Sequence, residues 1–246
     1  MLSTQRLRCR RSLAHYRATT MVGTFKLMTV NLLNGRADPG HHSRVLDRFE
    51  PDLVVTQEMG VDTAAVIAAK FPHHDLRPDV AHRGRGIASR FDAEFGTLAL
   101  PWRPGSWARV DFGPRRLVVA GVHMLNPTEF PWWRSVPGRR DQLEALISWA
   151  DDTVEPDEAI VVAGDMNATP LWPMYRRLAE RWSDLALGSS SSRPAPTWSW
   201  RPSWPLMLRI DHVFGTGVLG VGTAVERVDG SDHAALLIDL EFERKR

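Results

Sequence analysis

Short apolar runs of β character recur along this 246-residue chain, and polar side chains sit where those runs end. The run at 25–31 (FKLMTVN) closes on Asn31, the run at 52–58 (DLVVTQE) closes on Glu58, and the run at 116–124 (RLVVAGVHM) carries His123 beside its end. Residues 158–164 (EAIVVAG) lead straight into Asp165 and Asn167, Asp211 and His212 lie within RIDHVF, and Asp232-His233 precede the run at 234–241. A charge placed against a core must be paired or bind a cation. So many of them at strand ends point to one shared rim, which confines the chain to folds that gather their strand ends. Taken singly, each has an ordinary explanation. Asn31 would cap a turn, Glu58 would be a surface carboxylate, and His123 a hydrogen-bonded core histidine. Gly164-Asp165-Met166-Asn167 would be a type I turn and Asp232-His233 a helix cap or loop. Together, in this order, they describe a site.

The rest of the chain fills in around these strands. Residues 42–49 and 62–71 read as helices, and 139–151 as an amphipathic helix with Leu143, Leu146, Ile147 and Ala150 on one face. Residues 171–182 read as a helix with proline in its first turn. Residues 85–90, 94–100 and 106–112 are short strands bounded by Gly and Pro, and 208–214, 218–228 and 234–241 close the chain as strands. About ten strands interspersed with some four helices predict two central sheets with helices outside them. The stretch 188–196 (GSSSSRPAP) is a low-complexity loop, too short and too late to divide two cores. A single domain over residues 22–243 is the expectation.

Composition narrows the class. With 43% hydrophobic and 24% charged residues, disorder, collagen and coiled coil are excluded. No apolar run approaches the ~18 residues of a membrane span. The lone cysteine, Cys9, excludes a disulfide scaffold. The formal net charge is +2 and the pI about 9.0, but five arginines and no acid fall within residues 1–20. The remainder has 26 basic against 29 acidic side chains, a balance of −3 that gives little support for a nucleic-acid footprint. Only the local pairs Arg115-Arg116, Arg139-Arg140 and Arg176-Arg177 stand out. Arg10-Arg11 is followed by no apolar segment of the kind an export signal needs. Residues 1–21 are therefore expected to be a disordered arginine-rich leader, or to precede a true start at Met21, in a cytoplasmic and monomeric protein.

The segments TVNLLNG (29–35), VVTQE (54–58), GIASR (86–90), GVHMLNP (121–127), VVAGDMNATP (161–170), RIDHVF (209–214) and GSDHAALLIDL (230–240) resemble, in order, those of the endonuclease/exonuclease/phosphatase superfamily of metal-dependent phosphohydrolases. The resemblance spans the body of the chain. It implies a DNase I-like, four-layer α/β/β/α sandwich with two central mixed sheets. It also implies a Mg²⁺-dependent phosphoesterase, a phosphodiesterase in preference to a phosphomonoesterase, working by metal-assisted in-line attack of water. A DNA endonuclease or repair nuclease, and an inactive scaffold of the same fold, are the alternatives. The substrate class stays open between small-molecule, lipid and nucleic-acid phosphate esters.

The roles the resemblance implies are these. Glu58 is the principal metal ligand, with Asn31 beside it as ligand or orienter. Asp165 orients and deprotonates the attacking water, and Asn167 holds that water or a phosphoryl oxygen. His233 donates to the phosphate, with Asp211 as its carboxylate partner. Asp232 is a second metal-side carboxylate or a water orienter, and His123 a second phosphate contact or the leaving-group acid. The general base is either Asp165 or an Asp–His pair. Oxygen donors suit Mg²⁺, with Mn²⁺ as a substitute, while a body without cysteine or HExxH disfavours a closed zinc site. GxSxG and GxxxxGK[ST] are absent, which sets aside serine esterases and P-loop enzymes.

Two features depart from, or add to, that pattern. Some nucleases of the family carry a carboxylate partner for the His123 position before the GIASR-like strand. Here the stretch is His82-Arg83-Gly84-Arg85-Gly86, which undercuts a nuclease-style role for His123 and makes Arg83 or Arg85 candidates to face phosphate. The chain also has ten tryptophans. Trp132 and Trp133, and Trp198, Trp200 and Trp204, are expected on the rim, where they would meet a flat or apolar part of a substrate. The alternative is that they pack a long loop against a sheet edge.

Overall fold

The computed structural model describes residues 23–112, 115–128, 131–188 and 194–243; the expected leader and residues 189–193 of the low-complexity loop lie outside the described residues. Twelve strands form two six-stranded sheets among these residues. The first sheet holds β1 (Phe25–Asn31), β2 (Leu53–Gln57), β3 (His73–Arg77), β4 (Arg85–Ser89), β11 (Val218–Arg227) and β12 (Ala234–Phe242), in the order β11-β12-β1-β2-β4-β3. The second holds β5 (Ala93–Leu98), β6 (Gly105–Asp111), β7 (Arg116–His123), β8 (Ala159–Asp165), β9 (Ser183–Asp184) and β10 (Asp211–Thr216), in the order β5-β6-β7-β8-β10-β9. Four helices complete the fold: α1 (Pro39–Phe49), α2 (Val61–Lys70), α3 (Trp132–Thr153) and α4 (Pro173–Arg181).

Alternation along the strands builds four layers. Leu27, Val55, Ile87 and Ile238 of the first sheet meet Ala108, Val119, Val161 and Val213 of the second in a central core. Their neighbours in sequence face outward. Met28, Val54 and Leu237 pack under Val45, Leu46 and Ile67 of α1 and α2. Val122, Ile160, Val162 and Phe214 pack under Leu146 and Leu178 of α3 and α4. Strands covered on both faces read as unbroken apolar runs, which is why these were legible. The expected α/β/β/α sandwich is the observed one. Among the described residues no helix is long and apolar enough to cross a membrane.

Strand direction decides where the site lies. β1 runs parallel to β2, β7 runs parallel to β8, and every other pair is antiparallel. The C-terminal ends of β1, β2, β7 and β8 therefore share one end of the sandwich with the N-terminal ends of β4, β6, β10 and β12.

Three elements differ from the sequence reading. The helix expected over 139–151 starts at Trp132 and carries Pro137 in its second turn, where the ring removes a single helical donor. The strand expected from 208 begins at Asp211, because Leu208 forms an isolated bridge with Trp198 instead. His73–Arg77 was not read as a strand: it is a half-exposed sheet edge with a single aliphatic residue and shows no clear alternation.

Candidate active site

The strand ends bring the polar residues together. Asn31 ends β1, Glu58 follows β2, His123 ends β7, Asp165 ends β8, Asp211 begins β10, and His233 stands just before β12. In register, His123 lies opposite Asp165 and Asp165 opposite Asp211. Gly164 makes that spacing feasible: its φ is +144°, and a Cβ there would fall 2.0 Å from the Val122 carbonyl oxygen. Glu58 itself adopts φ +53°, as do Leu33, Asn34 and Asn167 at +47°, +51° and +46°. Left-handed conformations at ordinary residues cost on the order of 1 kcal/mol each and mark places where side chains must be aimed.

Asn31 ties the two sheets together. Its Nδ2 lies 3.3 Å from Glu58 Oε1 and 3.2 Å from Asp165 Oδ2, while its Oδ1 accepts from the Leu33 amide at 3.0 Å. The Asn34 amide donates to Glu58 Oε2 at 2.9 Å. Asp165 Oδ1 accepts from the Asn167 amide at 2.8 Å, and Asn167 Nδ2 donates to the Met124 carbonyl at 3.0 Å and to Asp165 Oδ2 at 3.2 Å. His233 Nδ1 donates to Asp211 Oδ2 at 2.8 Å, leaving Nε2 3.7 Å from Asp165 Oδ2. His123 Nε2 faces the same carboxylates, 3.6 Å from Glu58 Oε1 and 3.5 Å from Asp165 Oδ2.

Burial and neighbours set the charge states. Asp165 is pushed up to about 7, by burial first, with Asp211 and Glu58 adding to it and His233 opposing. Burial opposes the charge on His233, but Asp211 and Asp165 outweigh it and push the imidazole up to about 10. His123 falls well below the ordinary histidine value, through burial and then the charges of Arg103 and His233. The two histidines thus differ: His233 is a cationic donor and His123 a neutral ring. Arg103 Nη1 lies 2.5 Å from His123 Nε2, and the main chain of His82 hydrogen-bonds the ring. A main-chain group of the basic stretch 82–86, in which the sequence offers no carboxylate, thus contacts the His123 ring.

These groups line a cleft of about 440 Å³, walled by Asn126, Thr128, Trp172, Trp198, Trp200 and Leu208. Asp232 also lines it, and its Oδ2 accepts from Trp198 Nε1 at 3.1 Å. Trp200 packs edge-on against Trp198. The expectation for the tryptophans needs correction, because Trp133 and Trp204 are exposed but do not line the cleft. Neither does Arg83 or Arg85: Arg85 Nε donates to the Gly105 carbonyl and Arg83 borders a smaller neighbouring cavity. The arginine on the cleft is Arg103. It was missed because it comes from a loop that carries no periodic signal, and Trp172 because the sequence reading places it inside a helix whose N-cap it forms instead. Asn126 was missed as a site residue although it stands three residues past His123 in GVHMLNP. His212 points away from the cleft, where its Nε2 donates to the Ala168 carbonyl.

The donor set suits a hard divalent cation. Carboxylate oxygens of Asp165 and Asp211 lie within 4.8 Å of each other, beside the His233 ring. Asp211 Oδ1, Asp232 Oδ1 and Asn34 Oδ1 are buried without a hydrogen-bond donor among the described residues. Carboxylate and amide oxygens short of donors are what Mg²⁺ or Mn²⁺ would satisfy.

Comparison with known proteins agrees with this geometry. The family described as the Endonuclease/Exonuclease/phosphatase family matches residues 28–233. No curated protein matches the sequence. Among solved structures, an endonuclease/exonuclease/phosphatase from Beutenbergia cavernae DSM 12333 superposes with a TM-score of 0.71 at 23% identity, over 89% of this chain and 72% of the other. One from Bacteroides vulgatus gives 0.68 at 19% identity, over 90% and 100% of the two chains. TDP2 of D. rerio, complexed with single strand DNA product, gives 0.71 at 15% identity, over 89% and 99%. At these identities the likeness establishes the fold.

Proposed function

Because the chain belongs to the endonuclease/exonuclease/phosphatase family, a family of metal-dependent phosphoester hydrolases, we propose that it is a Mg²⁺-dependent phosphodiesterase. The observation that carries this reading is the convergence of Glu58, Asp165 and His233, from the ends of both sheets, on one cleft, with Asp211 buried behind His233. Phosphodiester hydrolysis is slow because an anion must accept a nucleophile and then release an alkoxide. Positioning and charge neutralisation therefore do most of the catalytic work.

Glu58 is the principal ligand on this reading, with Asn31 orienting it and Asp165 by one shared amide. Asp232, which lines the same cleft, would be a second carboxylate for the cation or an orienter of its waters. The bound cation would neutralise charge on a phosphoryl oxygen and lower the pKa of water, and Mn²⁺ would substitute for Mg²⁺. Asp165 takes the proton from the attacking water. Burial raises the Asp165 carboxyl in the metal-free protein and so makes it the better proton acceptor, whereas His233, already protonated, has no site to accept it. His233 donates Nε2–H to the phosphoryl oxygen, its tautomer fixed by Asp211. His123 and Arg103 form a second phosphate contact, with Asn126 beside them. Asn167 holds Asp165 in position. Arg103 and His233 are the only cationic side chains among the described lining residues, which suits the single negative charge of a diester.

A nuclease is the second reading, favoured by the aromatic walls of the cleft and by the single strand DNA product held by the D. rerio TDP2 structure. Hydrolysis of bis-p-nitrophenyl phosphate, plasmid and single-stranded DNA, each in Mg²⁺ and in EDTA, separates the two. Mg²⁺-dependent turnover of the small diester with intact plasmid and oligonucleotide supports the first. Nicking or shortening of DNA at comparable rates supports the second. Activity undiminished by EDTA is incompatible with both.

A further inference from the structure

Nine of the fourteen exposed large apolar side chains among the described residues, and every exposed tryptophan, stand on one side of the cleft, against Val61 and Val80 on the other. Five tryptophans have 36% or more of their surface open among the described residues: Trp102, Trp133, Trp172, Trp200 and Trp204. They stand on four segments: residues 99–104 before β6, 124–136 into α3, 166–172 into α4, and 199–210 before β10. Because β7 and β8 run parallel while β6 and β10 run against them, all four segments leave the same end of the second sheet. That end carries His123, Asp165 and Asp211. Val136, Leu171, Met207 and Leu208 are exposed on the same segments. A groove of about 350 Å³ opens beside them between α3 and α4; it shares Pro127 and Trp172 with the cleft and is lined by Leu143 and Met174.

Charge follows the same division. Arg134, Arg140, Arg177 and Arg201 are exposed along or next to these segments, and Arg201 stacks on Trp204 with 5.3 Å to the ring centre. By sequence the four segments contain one acid, Glu129, which lies outside the described residues. The matching segments of the first sheet, 32–38, 58–60, 78–84 and 228–233, contain no tryptophan and bring Asp38, Glu58, Asp79, Asp229 and Asp232. The mouth thus has one acidic lip and one apolar, cationic lip.

Scattered apolar side chains are ordinary on a surface, but a row of them beside one opening marks an interaction site. Tryptophan mixed with aliphatic residues and arginine is the composition that settles at the headgroup boundary of a bilayer, with the arginines reaching anionic lipid. Base stacking would employ the tryptophans but gives no role to Val136, Leu171 and Met207, nor to the apolar groove. Resting on the phosphodiesterase reading above, we propose that this lip seats the cleft on an anionic lipid bilayer, and that the phosphate ester entering the cleft belongs to a membrane amphiphile whose apolar chain follows the groove.

The test is sedimentation of the full chain, in EDTA, with vesicles of mixed phosphatidylglycerol and phosphatidylcholine and with vesicles of phosphatidylcholine alone. Its partner is a variant carrying Trp133→Ser, Leu171→Ser and Met207→Ser, three exposed positions that do not line the cleft. The arginine-rich N-terminus is present in both proteins, so the difference between them reads the lip. Binding should require phosphatidylglycerol and weaken by about tenfold or more in the variant, while hydrolysis of bis-p-nitrophenyl phosphate stays unchanged and reports that the variant is folded. Soluble-diester hydrolysis without vesicle binding, or equal binding by the two proteins, overturns the lipid proposal and leaves the phosphodiesterase reading standing. Vesicle binding lost in the variant, from a protein inactive on every ester, supports the docking surface and removes the catalytic reading instead. Binding to a single-stranded oligonucleotide but not to vesicles, lost in the variant, makes the lip a base-stacking surface and overturns the proposal.

Discussion

Burial makes Asp165 keep its proton to a higher pH than a surface aspartate would, and that has two opposite consequences. A buried carboxyl pushed up to about 7 disfavours its own ionised form, so above that pH it costs the metal-free fold stability that an amide would not. Asp165→Asn should therefore raise the unfolding free energy measured by urea titration in EDTA at pH 8, by an amount on the order of 2 kcal/mol, while lowering turnover of bis-p-nitrophenyl phosphate by roughly a thousandfold. A variant that is less stable in EDTA, or that turns over normally, contradicts the assignment. His42 is a second buried ionisable group, far from the cleft. Burial first, then His41 and Lys70, lower it to about 4, and neither ring nitrogen has a hydrogen-bond partner among the described residues. The unfolded chain takes up a proton below its ordinary value of 6.5, whereas the folded chain refuses it until about pH 4. Stability attributable to His42 is thus unchanged above 6.5 and lost progressively as pH falls from there. His42→Leu should remove that loss, so urea midpoints of parent and variant should diverge by about 2 kcal/mol on going from pH 7.5 to pH 5. Parallel pH profiles would show that His42 titrates as an ordinary surface histidine.

Helix α3 supports the chemistry without touching it. Arg139 Nη1 donates to the Leu125 carbonyl, and the Leu125 amide donates to Gln142 Oε1 at 2.8 Å, so two buried side chains of one helical turn hold both polar groups of one residue. Leu125 follows Met124, whose amide donates to the Asp165 carbonyl at 2.9 Å and whose carbonyl accepts from Asn167. Arg139→Met should lower kcat by about tenfold to a hundredfold with KM little changed, since sub-ångström misplacement of a reacting group has that scale of effect. Arg139→Lys should restore little, because a point charge does not replace the guanidinium fork. Steady-state kinetics with an unaltered kcat would reduce Arg139 to packing. Such support was beyond the reach of the sequence: Arg139-Arg140 reads as an exposed pair, and Pro137 hides the first turns of the helix that carries Arg139. What could be read were the strands, because layers covered on both faces leave apolar runs, and the polar residues closing those runs, because each breaks a pattern. Arg103 and Trp172 break none. They reach the cleft along paths that only the packed sheets define. Strand β3 is illegible for a related reason: its pairing with β4 comes from its neighbour rather than from its own residues.

On the scale of the whole molecule the site is a seam. Asn31, Glu58 and His233 belong to the first sheet, while His123, Asp165 and Asp211 belong to the second. Across the seam, Glu58 and Asp165 share the Asn31 amide and the His123 ring, while His233 faces Asp165 alone. A cation bound there would join the sheets at the point where like charges meet, and it would bind the folded chain alone, because the unfolded chain scatters these ligands over some two hundred residues. Linkage then makes metal binding a stability term: at about 100 times Kd it is worth about 2.7 kcal/mol. For a domain of this size each kcal/mol moves the Tm by about 2–4 °C. Scanning calorimetry should therefore show the Tm rising by roughly 5–10 °C with saturating Mg²⁺, and falling back on addition of EDTA. Glu58→Gln should need more Mg²⁺ for the same rise and for half-maximal activity, while His42→Leu, remote from the seam, should shift with the parent. A Tm indifferent to Mg²⁺ in a protein that still hydrolyses diesters in EDTA would mean that Asn31, His123 and His233 alone reconcile the carboxylates, and that no cation works between the sheets.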